Sequence, residues 1–491
     1  MIEIIAYLNI MTNKTSLLSS YKKEKQLREL KGILPEIFEG GVLDIQKLKA
    51  FIGEDGFIDH ANYELSWYDK KLALDSAKAN CEAELVFVKD KSVLPNKTKN
   101  LFIEGDNLDA LKLLKKDYQG KIKLIYIDPP YNTGKNFAFS DNYHLAADDY
   151  LEYLNQFNIG RVDEFTQHRI ESGEIHTQWL NMIFPRLILT KDFLTDDGAV
   201  VISIDESEKN NLQLICNEVY GEENFVGCFI WENRSISNDS ANLFSTIHEY
   251  ILVYAKDKSK LKFKGEEKDF SNYSNPDQDE NGEWIPDNPT AASGNENARF
   301  PITNPITMEE YLPPNGRYWA FSKARVEEWT RSGKMVFPKE RGKRFLLKKY
   351  RSELRSEQKS LSSIITDIPG LKGTKELKEL YPEEIPFKHP KPTDLLILLF
   401  DQLSGKEDTV LDIFAGSATT AHAVYKMNQV PDSNRKFICI QKAEKLAVNA
   451  VGYKLGFSSI SDISIDRIKR AGKLQSVNNS GVNYFKIEYL E

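Results

Sequence analysis

The sequence predicts an α/β fold whose centre is a doubly wound, mostly parallel sheet, and three observations carry that prediction. From residue 101 onward, short apolar runs alternate with helix-spaced segments. The apolar runs are nearly continuous rather than alternating, as strands covered on both faces must be. The same texture returns near residue 386 after a long polar and basic interruption, so two halves of one sheet are separated by an insertion.

Taken in order, residues 1–95 are Lys- and Glu-rich with helical spacing, as in "SYKKEKQLRELKGILPEIF", and predict a helical N-terminal arm. Residues 96–225 read as "LFIEGD" (strand), "NLDALKLLKKDY" (helix), "KLIYID" (strand), "WLNMIFPRLILTKDFL" (helix), "GAVVISID" (strand) and "NNLQLICNEVYG" (helix). Residues 226–385 form the predicted insertion. Its stretch 266–297 is acidic and Pro-interrupted and reads as loop. From Arg317 to Lys359 there are fourteen Lys/Arg against five Glu, with Tyr318, Trp319, Phe321, Trp329 and Phe337 interleaved. Residues 386–491 resume with "KPTDLLILLFDQL" (helix), "TVLDIF" (strand), "ATTAHAVYKMN" (helix) and "KFICIQ" (strand).

Composition bounds the function classes. The 491 residues are 41% hydrophobic and 28% charged with net charge −8, an ordinary globular balance in which any nucleic-acid surface has to be local. The opening "MIEIIAYLNIM" is too short to cross a bilayer and is broken by Glu3, so a cytoplasmic protein without a membrane anchor is expected. Cys81, Cys216, Cys228 and Cys439 are scattered without a CxxC pair, which fits a reducing compartment and offers no zinc spacing. No GxxxxGK[ST] phosphate loop is present, so ATP hydrolysis is not supported, and no metal is expected at the site.

Two stretches carry chemistry. In "DTVLDIFAGSATTAHAV" a strand ends at Asp412 and Phe414, and small residues Ala415, Gly416, Ser417 and Ala418 open a helix, so that a ligand can approach the backbone closely. Such a turn also serves purely structural ends. Glu444 follows the next strand, where an acid can bind ribose hydroxyls. In "IYIDPPYNTG" a buried strand runs into Asp128, Pro129, Pro130 and Tyr131. A strand-ending turn would use the prolines. An extrahelical base with an exocyclic amine would use all four residues: Asp128 and the Pro129 carbonyl accept the amine's two N–H groups, the prolines fix that carbonyl, and Tyr131 offers a stacking face.

The order of these motifs, DPPY well before FAGS with a basic insertion between, resembles the β class of adenine-N6 DNA methyltransferases. The phrases "LFIEGDNLDALKLL", "LIYIDPPYNTGKNF", "WLNMIFPRL", "GAVVISIDESE", "HEYILVYAK" and "LDIFAGSATTAHAV" are similar to the Mod subunit of type III restriction-modification systems. The resemblance implies a Rossmann-like methyltransferase sheet with an inserted target-recognition domain. It implies S-adenosylmethionine as cofactor, duplex DNA as substrate, a separate restriction (helicase-nuclease) subunit as partner, and a homodimer. On this chain Asp412, Phe414, Ala415, Gly416 and Ser417 would bind the cofactor, the last four lining its methionine side, with Glu444 at the ribose and Asp106 at the adenine. Lys391 and Thr393 in "HPKPTDLL" match the motif that closes over the cofactor's carboxylate end. Position 418 is Ala where the family usually has Gly, and the chain stops soon after "VNYFKIEYLE", where Mod subunits generally continue.

The remaining candidates are set by composition. Lys339, Arg341, Lys343, Arg344, Lys348 and Lys349 are the expected DNA-binding cluster. Asp205–Glu206 reads as a strand end, His422 as a packed helix residue and Trp179–Leu187 as core. Asn132 and Thr133 could orient the catalytic loop or touch the flipped strand, and Phe137 and Phe139 could fill the space left by the base or merely pack. Methylation of cytosine N4, and a catalytically silent specificity subunit, stay open as alternatives.

Overall fold

The computed structural model describes residues 30–39, 42–43, 47, 65–133, 164–234, 244–475 and 480–490. The chain divides into two compact units, Met1–Ser66 and Trp67–Glu491. In the first, a turn of 3-10 helix at Pro35–Ile37 precedes a two-residue antiparallel pair, Phe38–Glu39 with Val42–Leu43. Most of the expected helical arm lies outside the described residues. The expected boundary at 95 is too late, because residues 70–87 belong to the second unit.

Ten strands make the central sheet of that unit: β1 (Ala83–Phe87), β2 (Leu101–Glu104), β3 (Ile122–Ile127), β4 (Leu194–Ile204), β5 (Phe225–Glu232), β6 (His248–Ala255), β7 (Ile364–Ile365), β8 (Thr409–Asp412), β9 (Lys436–Gln441) and β10 (Asn483–Tyr489). Their spatial order is β7-β5-β6-β4-β3-β8-β9-β2-β10-β1. The run from β4 to β10 is parallel, β6 is antiparallel to both its neighbours, and β1 closes the far edge antiparallel to β10. The insertion therefore begins later than residue 226: β5 and β6 form a hairpin of the sheet itself, and β7 also pairs with β5.

Eight helices matter for the site: α1 (Lys70–Lys78), α2 (Asn107–Tyr118), α3 (Glu164–Phe193), α4 (Lys209–Tyr220), α5 (Leu371–Leu380), α6 (Thr393–Leu403), α7 (Thr419–Met427) and α8 (Ile460–Gln475). Side chains alternate across the strands. Leu124, Tyr126, Val201, Val410 and Cys439 share one buried cluster with Leu395, Leu399, Val424 and Ile468 of α6, α7 and α8. Ile125, Ile127, Val200 and Ile202 point to the other face and are just as fully buried. That double cover explains why the strands read as continuous apolar runs.

The connection from β3 leads through α3 to β4 on one side, and that from β8 leads through α7 to β9 on the other. The chain thus departs in opposite directions from two adjacent strands. Asp412 at the end of β8 registers with Tyr126 of β3 and Cys439 of β9. This is the topological switch point at which open α/β sheets form a crevice beyond the strands' carboxyl ends.

The inserted region has its own small core. Ile302, Trp319, Phe321, Met335, Phe337, Phe345 and Leu347 are buried together. Trp284–Pro286 pairs with Leu346–Tyr350, so the stretch read as loop contributes a strand. Three of the five aromatics that interleave with the basic residues, Trp319, Phe321 and Phe337, are buried in this core.

Candidate active site

The turn after β8 is held from below. Asp412 is 2% exposed. Its carboxylate accepts the Phe414 N–H at 3.0 Å and the Thr420 hydroxyl at 2.6 Å, and so ties the turn to α7. Burial pushes this carboxyl up to about 7. Asp412, expected to bind cofactor, staples the turn.

Gly416 adopts φ +52°, a left-handed conformation that a side chain disfavours. Its N–H is accepted by Gln441 Oε1 at 2.8 Å. Ala418 is also left-handed, at φ +63°, and fully buried. For a residue with a Cβ that conformation costs on the order of 1 kcal/mol. The family's usual Gly avoids this strain. The Ser417 hydroxyl accepts from the buried Arg467 at 2.7 Å, and the same guanidinium reaches Thr419 at 2.8 Å. Ser417 thus serves the back of the turn. His422 is packed as expected, 1% exposed and held neutral by burial, its pKa pushed down to about 2.

Beside this turn lies a cavity lined by Asp106, Asn107, Met182, Arg186, Ile413, Phe414, Gln441 and Lys442. Asp106 caps α2 by accepting the Leu108 N–H at 2.8 Å, and Arg186 approaches its other oxygen at 3.2 Å. Asn107 donates to the Ile413 carbonyl at 2.8 Å, which locks the cap to the β8 turn. Asp106 and Phe414, expected at opposite ends of a cofactor, do share this cavity. Glu444 is not in its lining; Gln441 and Lys442 at the end of β9 take that place. Glu444 sits in the following turn, its N–H on the Lys442 carbonyl at 2.8 Å and its own carbonyl accepting from Ile460.

Across the switch point, the loop after β3 carries the acid and the ring. Asp128 Oδ1 accepts the Tyr131 hydroxyl at 3.0 Å and the Lys391 ammonium at 3.2 Å. Lys391 also meets Glu249 of β6 at 3.0 Å and Tyr131 Oη at 2.6 Å, with its ammonium 4.7 Å from the centre of the Tyr131 ring. Burial raises the Asp128 carboxyl above its ordinary value, opposed by the Lys391 charge. It keeps the Tyr131 phenol protonated as well. Lys391, expected at a cofactor's carboxylate end, reaches from the segment before α6 to the loop after β3. Thr393, expected beside it, is fully buried and bonded to Glu376, with Lys426 at 2.7 Å.

Packing fixes the loop's course. The Trp179 indole donates to the Pro130 carbonyl at 2.7 Å. Trp179 is core, as its helical spacing predicts, but it also positions the loop. Asn132, left-handed at φ +58°, donates to the buried Glu208, which also takes His176 at 2.5 Å and Asn211 at 2.7 Å. Phe137 and Phe139 lie outside the described residues. Asp205 ends β4 by accepting the Ser207 N–H, a strand-end role. Glu249, Trp179 and Glu208 were missed by sequence reasoning. Glu249 had only its place in "HEYILVYAK" as a signal.

On the insertion, Lys339, Arg341, Lys343, Arg344 and Lys349 are exposed. Lys348 is not: it is 3% exposed, its ammonium held between Asp277 and Asp279. It points inward because β-strand side chains alternate and its neighbour Lys349 takes the outer face. Lys348 is therefore a structural ion pair and no phosphate contact.

The small-residue turn and the acid–aromatic loop thus leave two adjacent parallel strands at the switch point of a doubly wound sheet. The chain belongs to the DNA methylase family, whose N6/N4 model matches residues 122–451. It is 30% identical to the Mod subunit of the type III restriction-modification enzyme EcoP15I of Escherichia coli, over 91% of this chain and 75% of that protein. It is 32% identical to the StyLTI Mod subunit of Salmonella typhimurium, over 93% of this chain and 72% of that one. The type II methyltransferase M.KpnI of Klebsiella pneumoniae is 28% identical over 88% of this chain and its own full length.

Proposed function

We propose that this chain methylates the N6 amine of adenine in duplex DNA, with S-adenosylmethionine as donor, as the modification subunit of a type III restriction-modification system. The observation that carries the reading is the position of Asp128: its carboxylate leaves β3 at the switch point, one strand from the Phe414–Gly416 turn. The groups beside that turn have the chemistry an adenosine calls for: Phe414 and Met182 are apolar, while Asp106, Asn107 and Gln441 are polar. When bound there, the cofactor supplies a methyl group on a cationic sulfonium.

The protein's part is to present the amine. Asp128 accepts one N–H of the extruded base, which favours the positive charge that the nitrogen gains on methylation. The Pro129 carbonyl accepts the other, and the consecutive prolines leave that carbonyl little freedom. Tyr131 supplies a face for the base. The exposed Lys339, Arg341, Lys343, Arg344 and Lys349 form a phosphate-binding rim on the insertion. Cleavage is assigned to a separate helicase-nuclease subunit, and the chain is assigned a homodimer. Among the described residues no helix is long and apolar enough to cross a membrane.

The test is methyl transfer from labelled S-adenosylmethionine to unmethylated DNA, with the modified nucleoside identified, for wild type and Asp128→Ala. N6-methyladenine from wild type alone, with cofactor affinity retained in the variant, is the expected result. N4-methylcytosine would replace the target base. No label from a folded wild-type protein would return the silent specificity subunit.

A further inference from the structure

Two carboxylates and one ammonium meet under Tyr131, and the proposed reaction uses only one of the three. Glu249 Oε2 lies 3.0 Å from Lys391 Nζ and 3.0 Å from the Tyr131 hydroxyl, whose single proton it shares with Asp128, while Asn233 holds its other oxygen at 2.7 Å. The Lys391, Glu249 and Asp128 side chains are 12%, 18% and 27% exposed, so water screens their charges weakly. The ammonium is brought in by a tight backbone approach: a Cβ on Gly373 of α5 would stand 2.2 Å from the Pro390 carbonyl oxygen. Lys391 and Tyr131 both bind Asp128 Oδ1, leaving Oδ2 to accept an incoming N–H.

We propose that Glu249 and Lys391 are a charge-setting pair for the catalytic carboxylate. Lys391 keeps Asp128 ionised in its buried position. Glu249 anchors the ammonium and leaves the three-residue cluster with one net negative charge. The inference rests on the methylation reading above. During that reaction the amine nitrogen would give its lone pair to the new N–C bond and become cationic, while the methyl–sulfur bond breaks and its electron pair returns to sulfur, leaving a neutral thioether. The nitrogen ends neutral once its proton has passed to Asp128. A single excess negative charge is what such a cation needs. Without Glu249 the cluster would be neutral and oppose the cation less effectively. Without Lys391 two buried carboxylates would face each other and one would take up a proton.

Other ionisable groups lie near Asp128 among the described residues. Tyr131 and Tyr126 are both held protonated by burial, and Asp412 of β8 adds negative potential when ionised. Burial works against the Lys391 charge, yet Asp128 and Glu249 raise the ammonium above its ordinary value, so it stays charged throughout the working range. Glu249 and Lys391 are positioning residues, acting through Asp128 and Tyr131.

The test reads the charge directly. Full-length protein carrying 13C-carboxyl aspartate is titrated by NMR, with the Asp128 signal assigned by its loss in Asp128→Asn. Lys391→Met should raise the Asp128 midpoint by about one unit or more, a tenfold change in its proton affinity. Glu249→Gln, nearly isosteric, should lower the midpoint while cutting turnover about tenfold at a pH where Asp128 is ionised. Cofactor affinity, by titration, should stay within about twofold of wild type in Glu249→Gln. An unmoved midpoint in both variants, or movement in the same direction, would overturn the proposal, with melting temperatures confirming that both fold. Opposite shifts in a protein whose wild type methylates nothing would remove the reaction and keep the pair.

Discussion

Replacing Asp412 by Asn separates a stapling carboxyl from a cofactor ligand. Its carboxyl is pushed from 3.8 up to about 7 by burial, with the nearby Asp128 acting in the same direction. The folded protein therefore binds this proton more tightly than the unfolded chain does. For a group raised in this way, the stability it contributes is fully present below the unfolded value and is lost as pH rises through the folded one. A gap of about three units at 1.36 kcal/mol each sets a ceiling of ~4 kcal/mol on the loss between about pH 4 and about pH 7. The asparagine keeps both anchors: its oxygen can accept the Phe414 N–H, and its amide can donate to the Thr420 hydroxyl. Urea denaturation of wild type and variant across this pH range cancels every other titrating group in the difference. The variant should gain on wild type as pH rises and level off above about pH 7. A difference flat with pH, or one that shrinks as pH rises, would refute the assignment of Asp412 as a desolvated staple.

Other perturbations test neighbouring statements. Gly373→Ala places a methyl 2.2 Å from the Pro390 carbonyl oxygen and should cost ~1–3 kcal/mol by overpacking, read as a lower melting temperature. By moving Lys391 it should also reduce turnover more than cofactor affinity, and wild-type behaviour in both would show that the segment yields freely. Lys348→Ala strips a buried aliphatic stem and leaves Asp277 and Asp279 unopposed, so it should destabilise the insertion by ~1–3 kcal/mol in chemical denaturation. The salt dependence of DNA binding should be unchanged in this variant. Neutralising Lys343, Arg344 and Lys349 together should do the reverse: stability holds, while the slope of log affinity against log salt flattens by up to about 3. An unaltered slope would place those side chains away from the phosphates.

The sequence by itself determined the layered α/β class, the two halves of the sheet and the two loops that carry the chemistry. Apolar periodicity reports burial on both faces, and a Pro-Pro-Tyr after an acid, or a run of small residues after a strand, leaves a local signature that needs no partner to be read. Its errors share one cause. The hairpin of β5 and β6 looked like part of the insertion because a strand's text does not name the sheet it joins. Lys348 and Lys349 are chemically alike in the sequence, yet one is buried on two aspartates and the other exposed, since strand register decides which way each points. At the site, tertiary contacts add partners that the sequence does not name: Asp412, Ser417 and Thr393 are bonded to Thr420, Arg467 and Glu376.

Only the tertiary structure brought Glu249, Asn233 and Lys391 to Asp128. Glu249 is separated from Tyr131 by 118 positions and Lys391 by 260. Their meeting depends on the order of strands across the switch point and on the Gly373 contact beneath Lys391. Local patterns along the chain fix what each segment can form. Which charges share a desolvated site is set by contacts between distant segments, whose electrostatic strength comes from the burial that folding creates.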